Sequence, residues 1–154
     1  GDIQLTLSQK LALDGAVIVT TPQQIALEDV RKGTEMFRKV NVPILGIIEN
    51  MSKLILRGKI NSNLTFKNLK INSHIVEVNS DGEFELEYKV FDGPGGLSES
   101  NRIDVPMIGE IHLDPKLSRS IDNGLPYVLN YENSSITQEF EKIVSEILSK
   151  LKNE

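Results

Sequence analysis

The 154 residues are enough for one domain with a buried core. The formal charge of −5 gives no electrostatic basis for a nucleic-acid partner, and no apolar run approaches the ~20 residues of a membrane span, so neither partner is expected. Because the sequence contains no cysteine, disulfides, thiolate nucleophiles and cysteine-ligated metal sites are excluded within these residues.

The first residues allow two structures. Alternating apolar residues fit a short strand, whereas Ile3, Leu7 and Leu11 also share one face of a helix, which Asp2 as N-cap favours. The sequence opens on Gly1 rather than methionine, from which we expect a fragment of a longer protein.

The clearest strand signal comes next, in residues 15–20. This run, GAVIVT, is rich in β-branched residues without alternation, which is typical of a strand buried on both faces of a parallel sheet. Thr21 as cap and Pro22 at the first helical position predict a helix over 23–39, and PILGII predicts a second strand near 43–49. The apolar stripe of the helix is Ala26, Val30, Gly33, Phe37 and Val40.

A third strand and a terminal helix complete an α/β pattern with parallel strands. VPMIGEI predicts a strand near 105–111, and Ser135 with Gln138 fits a capping box that begins a helix over 135–151. Its opposite face mixes Glu and Lys, so packing against the sheet is favoured over membrane binding. Its apolar stripe is Ile136, Phe140, Ile143, Val144, Ile147, Leu148 and Leu151.

Residues 53–91 break this pattern. EFELEYKVF alternates and predicts an antiparallel strand with one buried face, while HIVEV and the turn 79–82 before it predict a hairpin. With two further strands in LILRGKI and LTFKNLKI, we interpret 53–91 as a β meander inserted into the α/β domain. We expect its apolar face to pack on HIVEV and LTFKNLKI rather than on the α/β core. That face is Phe84, Leu86, Tyr88 and Val90.

Three predicted strands end in polar residues. These residues are Thr20, Thr21, Glu49, Asn50, Glu110, His112 and Asp114. Ligands of open parallel sheets bind at the carboxyl ends of the strands, so the pattern predicts a binding site there. Asn50 carries a donor and an acceptor on one rigid amide, which suits the edge of a purine base, although it could instead only cap a loop. The two histidines, His74 and His112, are interpreted as structural or exposed.

Several segments together match a known family: the opening GDIQLTLSQK, VTTPQ, MFRKVNVPILGIIENMS and VPMIGEIHLDP. They resemble the Mrp/ApbC group of P-loop ATPases, the iron–sulfur cluster carrier relatives of MinD and the nitrogenase iron protein. The resemblance covers residues 1–52 and 91–150. It implies a deviant-Walker P-loop fold, normally a cytoplasmic homodimer (alternatively in the mitochondrial matrix), that hydrolyses ATP with magnesium and serves iron–sulfur client proteins.

The resemblance also implies site residues. Asn50 would hydrogen-bond adenine, residues 113–115 would pack beside the base, and the first two residues would end the switch region after the Walker B strand. No catalytic or metal-ligating residue is assigned. The implied nucleotide-binding residues are Gly1, Asp2, Asn50, Leu113, Asp114 and Pro115.

Two parts of the family pattern are missing. No G-x-x-x-x-G-K-[ST] loop occurs, which we attribute to truncation because the family has this loop upstream of Gly1; the glycine-rich stretch 93–96 is interpreted as a flexible junction. Where the family commonly has C-x-x-C after ENMS, this sequence has LILR at 54–57. An iron–sulfur cluster bound in the usual way is therefore not expected.

Three functions compete. In the leading hypothesis, residues 1–154 are the carboxyl-terminal part of an Mrp-like ATPase with a β-rich insertion at 53–91, and the chain alone is inactive. The second is a non-catalytic binding module that takes a protein partner on the insert by β-augmentation. The third is a MinD-like positioning protein, which the mixed charge of the terminal helix disfavours.

Overall fold

The computed structural model of the chain describes residue 6 and residues 10–61 and 67–152. These residues form a mixed sheet with helices on both faces and a separate two-stranded sheet. Among the described helices, none combines the length and apolar character needed to cross a bilayer. The strands are β1 Ala16–Thr20, β2 Ile44–Lys59, β3 Asn68–Ile71, β4 His74–Glu77, β5 Glu83–Tyr88 and β6 Met107–Leu113. The helices are α1 Gln24–Lys39, α2 Gly95–Ile103, α3 Pro115–Asp122, α4 Tyr127–Asn130 and α5 Ser135–Leu151.

The parallel part of the sheet confirms the α/β class. β2 pairs in parallel with β1 on one side and with β6 on the other, as the unalternating apolar runs predicted. Adjacent residues of β2 face opposite ways, so Ile47 packs under α1 and α2 while Ile48 packs under α5. The first face is lined by Ile18, Leu27, Val30, Ile47, Ile103 and Val105. The second is lined by Ile108, Ile111, Tyr127, Ile136 and Ile143.

The central strand β2 runs ten residues beyond its predicted end, from 49 to Lys59. Its residues 54–59 pair antiparallel with β5, and we call this pair of segments the ribbon. Leu54 pairs with both Tyr88 of β5 and Leu113 of β6, so these two strands lie on opposite sides of β2. β5 therefore pairs with the same edge of β2 as β1 does, beyond the carboxyl end of β1.

The predicted hairpin between HIVEV and EFELEYKVF is wrong. β4 pairs with β3, whereas β5 pairs with β2, so the two segments belong to different sheets. Opposite charges across the two strands favour the pairing of β5 with β2. In the ribbon Arg57 lies opposite Glu85 and Lys59 lies opposite Glu83, and both pairs form ion pairs.

The one-face burial predicted for β5 is largely confirmed. Phe84, Leu86 and Tyr88 are more buried than the glutamates between them, and the Tyr88 ring meets the His74 ring edge-on with 5.4 Å between centroids. Val90 was assigned to the same face, but it lies beyond the end of β5 and is 42% exposed. The segment LTFKNLKI is described only from Lys67 onwards.

Two helix starts differ from those predicted. The N-cap of α1 is Gln23, without a side-chain capping bond, rather than Thr21 followed by Pro22. The N-cap of α5 is Ser134, one residue before the one predicted, and its Oγ accepts from the Thr137 N–H at 3.1 Å.

The buried faces of these helices are also narrower than their apolar stripes. α1 buries Leu27, Val30 and Thr34, and the Thr34 hydroxyl donates to the Val30 carbonyl at 2.8 Å, which satisfies it inside the core. In α5 the inner part of the stripe is packed, whereas Val144 and Leu148 are exposed. Of the first ten residues, Thr6 and Lys10 are described and are helical.

Candidate functional site

The polar ends of the three parallel strands lie side by side. Thr20 pairs with Glu49, and Glu49 pairs with Glu110, so one row crosses the carboxyl edge of the sheet. Thr20 and Glu49 are buried, whereas Glu110 is exposed. The structure thus brings together the three strand ends that the sequence singled out.

Asn50 follows this row and begins an irregularity in β2. The register with β6 slips between Asn50 and Leu54, so residues 51–53 oppose the single residue His112. Met51 has a left-handed backbone with φ of 57°, and its N–H donates to Asn50 Oδ1 at 2.9 Å. The Asn50 oxygen keeps a second lone pair, and the described hydrogen bonds do not use its NH2 group.

Asn50 lines a small pocket at the end of β1. The pocket has a volume of about 310 Å³ and lies between the strand ends and the first turns of α1. A volume of this size suits a small planar ring, for which the wall offers both apolar contacts and the polar groups of Asp29 and the strand end. The other lining residues are Ile18, Val19, Thr20, Thr21, Ala26, Asp29 and Val30.

Leu113 and Asp114 lie at the end of β6, where they have structural partners. Leu113 pairs with Leu54, and Asp114 caps α3, with its Oδ1 accepting from the Lys116 N–H at 2.7 Å. Its Oδ2 accepts from the Tyr127 hydroxyl at 3.3 Å, and burial raises the pKa of Tyr127. The Asp-Pro pair was therefore a helix-start signal, with cap and first-turn proline in succession.

The remaining predicted site residues divide into two groups. Pro115 is the first residue of α3, and neither it nor its two predecessors lines the pocket that holds Asn50. Gly1 and Asp2 lie outside the described residues. Of the described residues that the resemblance assigned to nucleotide binding, Asn50 alone lines this pocket, together with the polar strand-end residues Thr20 and Thr21.

Glu49 holds the start of α2, a contact that sequence reasoning missed. Its buried carboxylate accepts a hydrogen bond from the Gly96 N–H, at the positive end of the α2 dipole. Gly95 has a φ of 76°, and a Cβ at Gly96 would lie 3.1 Å from Glu49 Oε2. The glycine-rich stretch interpreted as a flexible junction thus contains a defined helix start, which packs against Glu49 in the middle of β2.

α2 is also fastened to α1. Glu99 accepts from Arg31 Nε and Nη2 at 3.0 Å each and from Arg102 Nε at 2.9 Å. Hydrogen bonds from Arg31 and then Arg102 lower the pKa of Glu99 to about 2. The hydrogen bond and charge of Glu99 in turn raise the pKa of Arg31. Arg38 donates to the Ile103 carbonyl at the last turn of α2.

The two histidines occupy different surroundings. His74 packs on Tyr88, and His112 lines a groove of about 650 Å³ beside Ser52 and Lys53. Burial, followed by the charges of nearby Arg57 and Lys53, lowers the pKa of His112. In the described part of the chain, no three His, Asp or Glu side chains are arranged to hold a metal ion.

The LILR segment at 54–57 lies in regular antiparallel structure. Leu54 pairs with Tyr88, and Arg57 pairs with Glu85. Residues three apart on a strand point to opposite faces, so side chains at 54 and 57 diverge. Two ligands at these positions would not converge on one ion within this chain.

Comparison with known proteins confirms the family resemblance. The chain matches the profile of the family described as "ParA: NUBPL iron-transfer P-loop NTPase" over residues 1–87 and 71–148. It is 34% identical over 152 residues to an iron-sulfur cluster carrier protein of Aquifex aeolicus (strain VF5), covering 96% of this chain and 35% of that protein. It is 34% identical over 153 residues to the iron-sulfur cluster transfer protein NUBPL of Mus musculus, covering 99% and 40%.

A third relative, an iron-sulfur cluster carrier protein of Pseudomonas fragi, is 36% identical over 143 residues, covering 93% of this chain and 41% of that protein. The chain therefore spans between 35% and 41% of the length of these three relatives.

Proposed function

The chain belongs to the family of NUBPL-type iron-transfer P-loop NTPases, and we propose that it is the carboxyl-terminal part of an ATP-hydrolysing iron–sulfur cluster carrier of the Mrp type. The observation that carries the nucleotide part is the position of Asn50. It stands in β2 at the carboxyl edge of the parallel part of the sheet, where β1 ends at Thr20, and it lines a pocket between β1 and α1. Nucleotides of open parallel sheets bind at this edge.

In this proposal Asn50 reads the adenine ring. Its NH2 group donates to a ring nitrogen, and its Oδ1 accepts from the exocyclic amino group while it also receives the Met51 N–H. Guanine presents a carbonyl oxygen in place of that amino group, so the same amide orientation favours adenine. The triphosphate and its magnesium ion need a lysine-bearing phosphate loop, which these residues do not contain.

The free side of β1 supports a site completed by other residues of a longer protein. Among the described strands β1 pairs only with β2, so the backbone of its other edge is open to a further strand. Val19 is 61% exposed, so one face of β1 is also left uncovered, although parallel strands are normally covered on both faces. We propose that upstream residues extend the sheet on this side and carry the phosphate loop. The homodimeric state, the cytoplasmic location and the client proteins belong to the same proposal.

The iron–sulfur cluster is the cargo of the proposed carrier. Thiolates are the preferred ligands of such clusters, and the 154 residues contain none. We therefore propose that any cluster ligands come from upstream residues or from another subunit. The LILR segment, with side chains at 54 and 57 on opposite faces, does not supply them.

The experiment that tests the nucleotide part is ATP titration of the complete protein that carries this chain. Asn50→Ala is expected to weaken ATP binding by about 1–2 kcal/mol, the scale of a lost hydrogen bond. Asn68→Ala, at an exposed position of β3, is the matched control and leaves the affinity unchanged. Unchanged affinity in Asn50→Ala would remove this residue from the site. The isolated chain is expected to have no ATPase activity.

A further inference from the structure

α2 contacts two of the elements that line the Asn50 pocket, β2 and α1. In β2, Glu49 precedes the lining residue Asn50 and binds the first turn of α2 through the Gly96 N–H. In α1, which lines the pocket with its first turns, Arg31 and Arg38 bind α2 at Glu99 and at the Ile103 carbonyl. The rest of the lining comes from the end of β1, which pairs with β2 directly. α2 is therefore a second connection, besides the sheet, between the β2 and α1 sides of the pocket.

The hydrogen bond between Glu49 and the Gly96 N–H lies in a closely packed environment that fixes its geometry. Its carboxylate is buried, and Gly95 and Gly96 leave room for it because a Cβ at either position would approach Glu49 Oε2 to 3.3 or 3.1 Å. A carboxylate at a helix N-terminus is stabilised by the unpaired N–H groups and the helix dipole. The middle of β2, at Glu49, is consequently held by the first turn of α2.

Asn50 is the first residue beyond this attachment. Met51 already has a left-handed backbone, and the pairing of β2 with β6 is lost until Leu54. Asn50 thus stands between an anchored residue and an irregular segment. Its backbone still pairs with Ile111 of β6, but the ladder is interrupted directly after it, so the Glu49 contact with α2 is the side-chain anchor next to Asn50.

We propose that Glu49 is a positioning residue that holds Asn50 in the orientation that reads the base, and so sets the preference for adenine over guanine nucleotides. The inference rests on the proposed function, since it concerns the same site. Glu49 itself faces α2 rather than the ligand. Removal of the Glu49 carboxylate is expected to lower the ratio of ATP affinity to GTP affinity, whereas a general loss of fold stability would weaken the binding of both nucleotides equally.

The test compares ATP and GTP affinities of the complete protein that carries this chain. Glu49→Ala removes the acceptor of the Gly96 N–H and is expected to reduce the ATP-over-GTP preference about tenfold. Glu49→Gln keeps an acceptor oxygen and retains most of the preference. Glu141→Ala removes an exposed carboxylate on α5, away from α2 and from the pocket lining, and leaves the preference unchanged.

A double-variant comparison identifies Asn50 as the residue through which Glu49 acts. In an Asn50→Ala background, Glu49→Ala is expected to change the preference no further, because the reading amide is already gone. Equal weakening of ATP and GTP by Glu49→Ala, or additive effects of the two substitutions on the preference, would overturn the inference.

A second measurement separates this inference from the proposed function. If the complete protein binds no nucleotide, the proposed function fails, and amide exchange in the 154-residue chain decides the positioning role. Glu49→Ala is expected to accelerate exchange of the Met51 N–H, which donates to Asn50 Oδ1, while the control Glu141→Ala does not. An unchanged Met51 rate would show that Glu49 does not hold Asn50.

Discussion

Glu99 of α2 and Arg31 of α1 form a two-point ion pair, in which Nε–Oε1 and Nη2–Oε2 are each 3.0 Å apart. Glu99 is 3% exposed, so its carboxylate depends on these hydrogen bonds and on those from Arg102. The pair joins residues 68 positions apart and fixes α2 against α1. It is the most buried ion pair among the described residues.

We expect Glu99→Gln to lower the free energy of unfolding at pH 7 by about 1–3 kcal/mol, because charged hydrogen bonds to Arg31 are lost. The pKa of Glu99 lies at about 2 in the folded protein, below its ordinary value of 4.5. The stabilisation is therefore complete above pH 4.5 and is lost as the pH falls towards 2. Urea denaturation of both proteins at several pH values measures the difference.

The control for this prediction is an exposed ion pair on α1, the helix that carries Arg31. Lys32 Nζ lies 3.9 Å from Asp29 Oδ1, and the two side chains are 77% and 81% exposed. Lys32→Ala is expected to change stability by less than about 0.5 kcal/mol. If the effect of Glu99→Gln persists undiminished at pH 2, the ion pair is not its cause.

Two glycines are expected to respond to alanine in opposite directions. Gly33 lies inside α1 with open space around a Cβ, so Gly33→Ala should stabilise the protein by about 0.5–1 kcal/mol. A Cβ at Gly93 would overlap the Pro22 carbonyl oxygen, which belongs to the backbone, so Gly93→Ala should destabilise it by about 1–3 kcal/mol.

Thermal unfolding of the two glycine variants provides the measurement. Each serves as the control for the other, since both changes add one methyl group. A stabilised Gly93→Ala protein would mean that the segment around Gly93 does not pack against Pro22.

The parallel strands and the two long helices could be predicted because their signals are local. β-branched runs without alternation marked β1 and the first half of β2, and the apolar stripe marked α5 to its last residue. The start of α2 could not be predicted in this way. It depends on Glu49, which is 47 residues away from Gly96 in the sequence.

The candidate site was predictable to a similar extent. Polar strand ends pointed to Asn50, and the structure places it in a pocket. The partners of Asn50 there come from β1 and α1, and no local pattern links them to it. Residues 113–115 were assigned by resemblance, whereas the Asp114 cap contacts show their structural role.

The β3–β4 sheet is expected to be dispensable for the main sheet. Lys59 and Glu83 lie directly opposite each other, so a two-residue Asn-Gly turn can join them in place of residues 60–82. The shortened protein should keep the ribbon and the parallel sheet, while Leu86 becomes more exposed. Circular dichroism and amide exchange at Leu54 test this, and loss of protection there would show that the deleted segment is part of the core.

Cysteines introduced at C-x-x-C spacing in the LILR segment are expected not to create a cluster site. Leu54→Cys with Arg57→Cys places two thiols on opposite faces of β2, so anaerobic reconstitution with iron and sulfide should leave no stable cluster on this chain. The control is Arg57→Cys with Glu85→Cys, a directly opposed pair, which should form a cross-strand disulfide on oxidation.

Iron content and visible absorption of the first double variant decide the outcome. A brown protein with stoichiometric iron would mean that the segment 54–57 leaves the ribbon to bind metal, or that two chains share the cluster.

β2 extends from Ile44 to Lys59 as one strand, so the residues beside the pocket and the ribbon residues 54–59 belong to the same continuous backbone. A displacement of the ribbon is therefore passed along this strand towards Asn50. Residues 51–53, where pairing with β6 is interrupted, are the place where the strand can bend. Glu49 lies on the amino-terminal side of this segment, and its hydrogen bond to α2 keeps it in position. We expect a molecule that binds the ribbon to change the orientation of Asn50 through residues 51–53, while Glu49 stays in place.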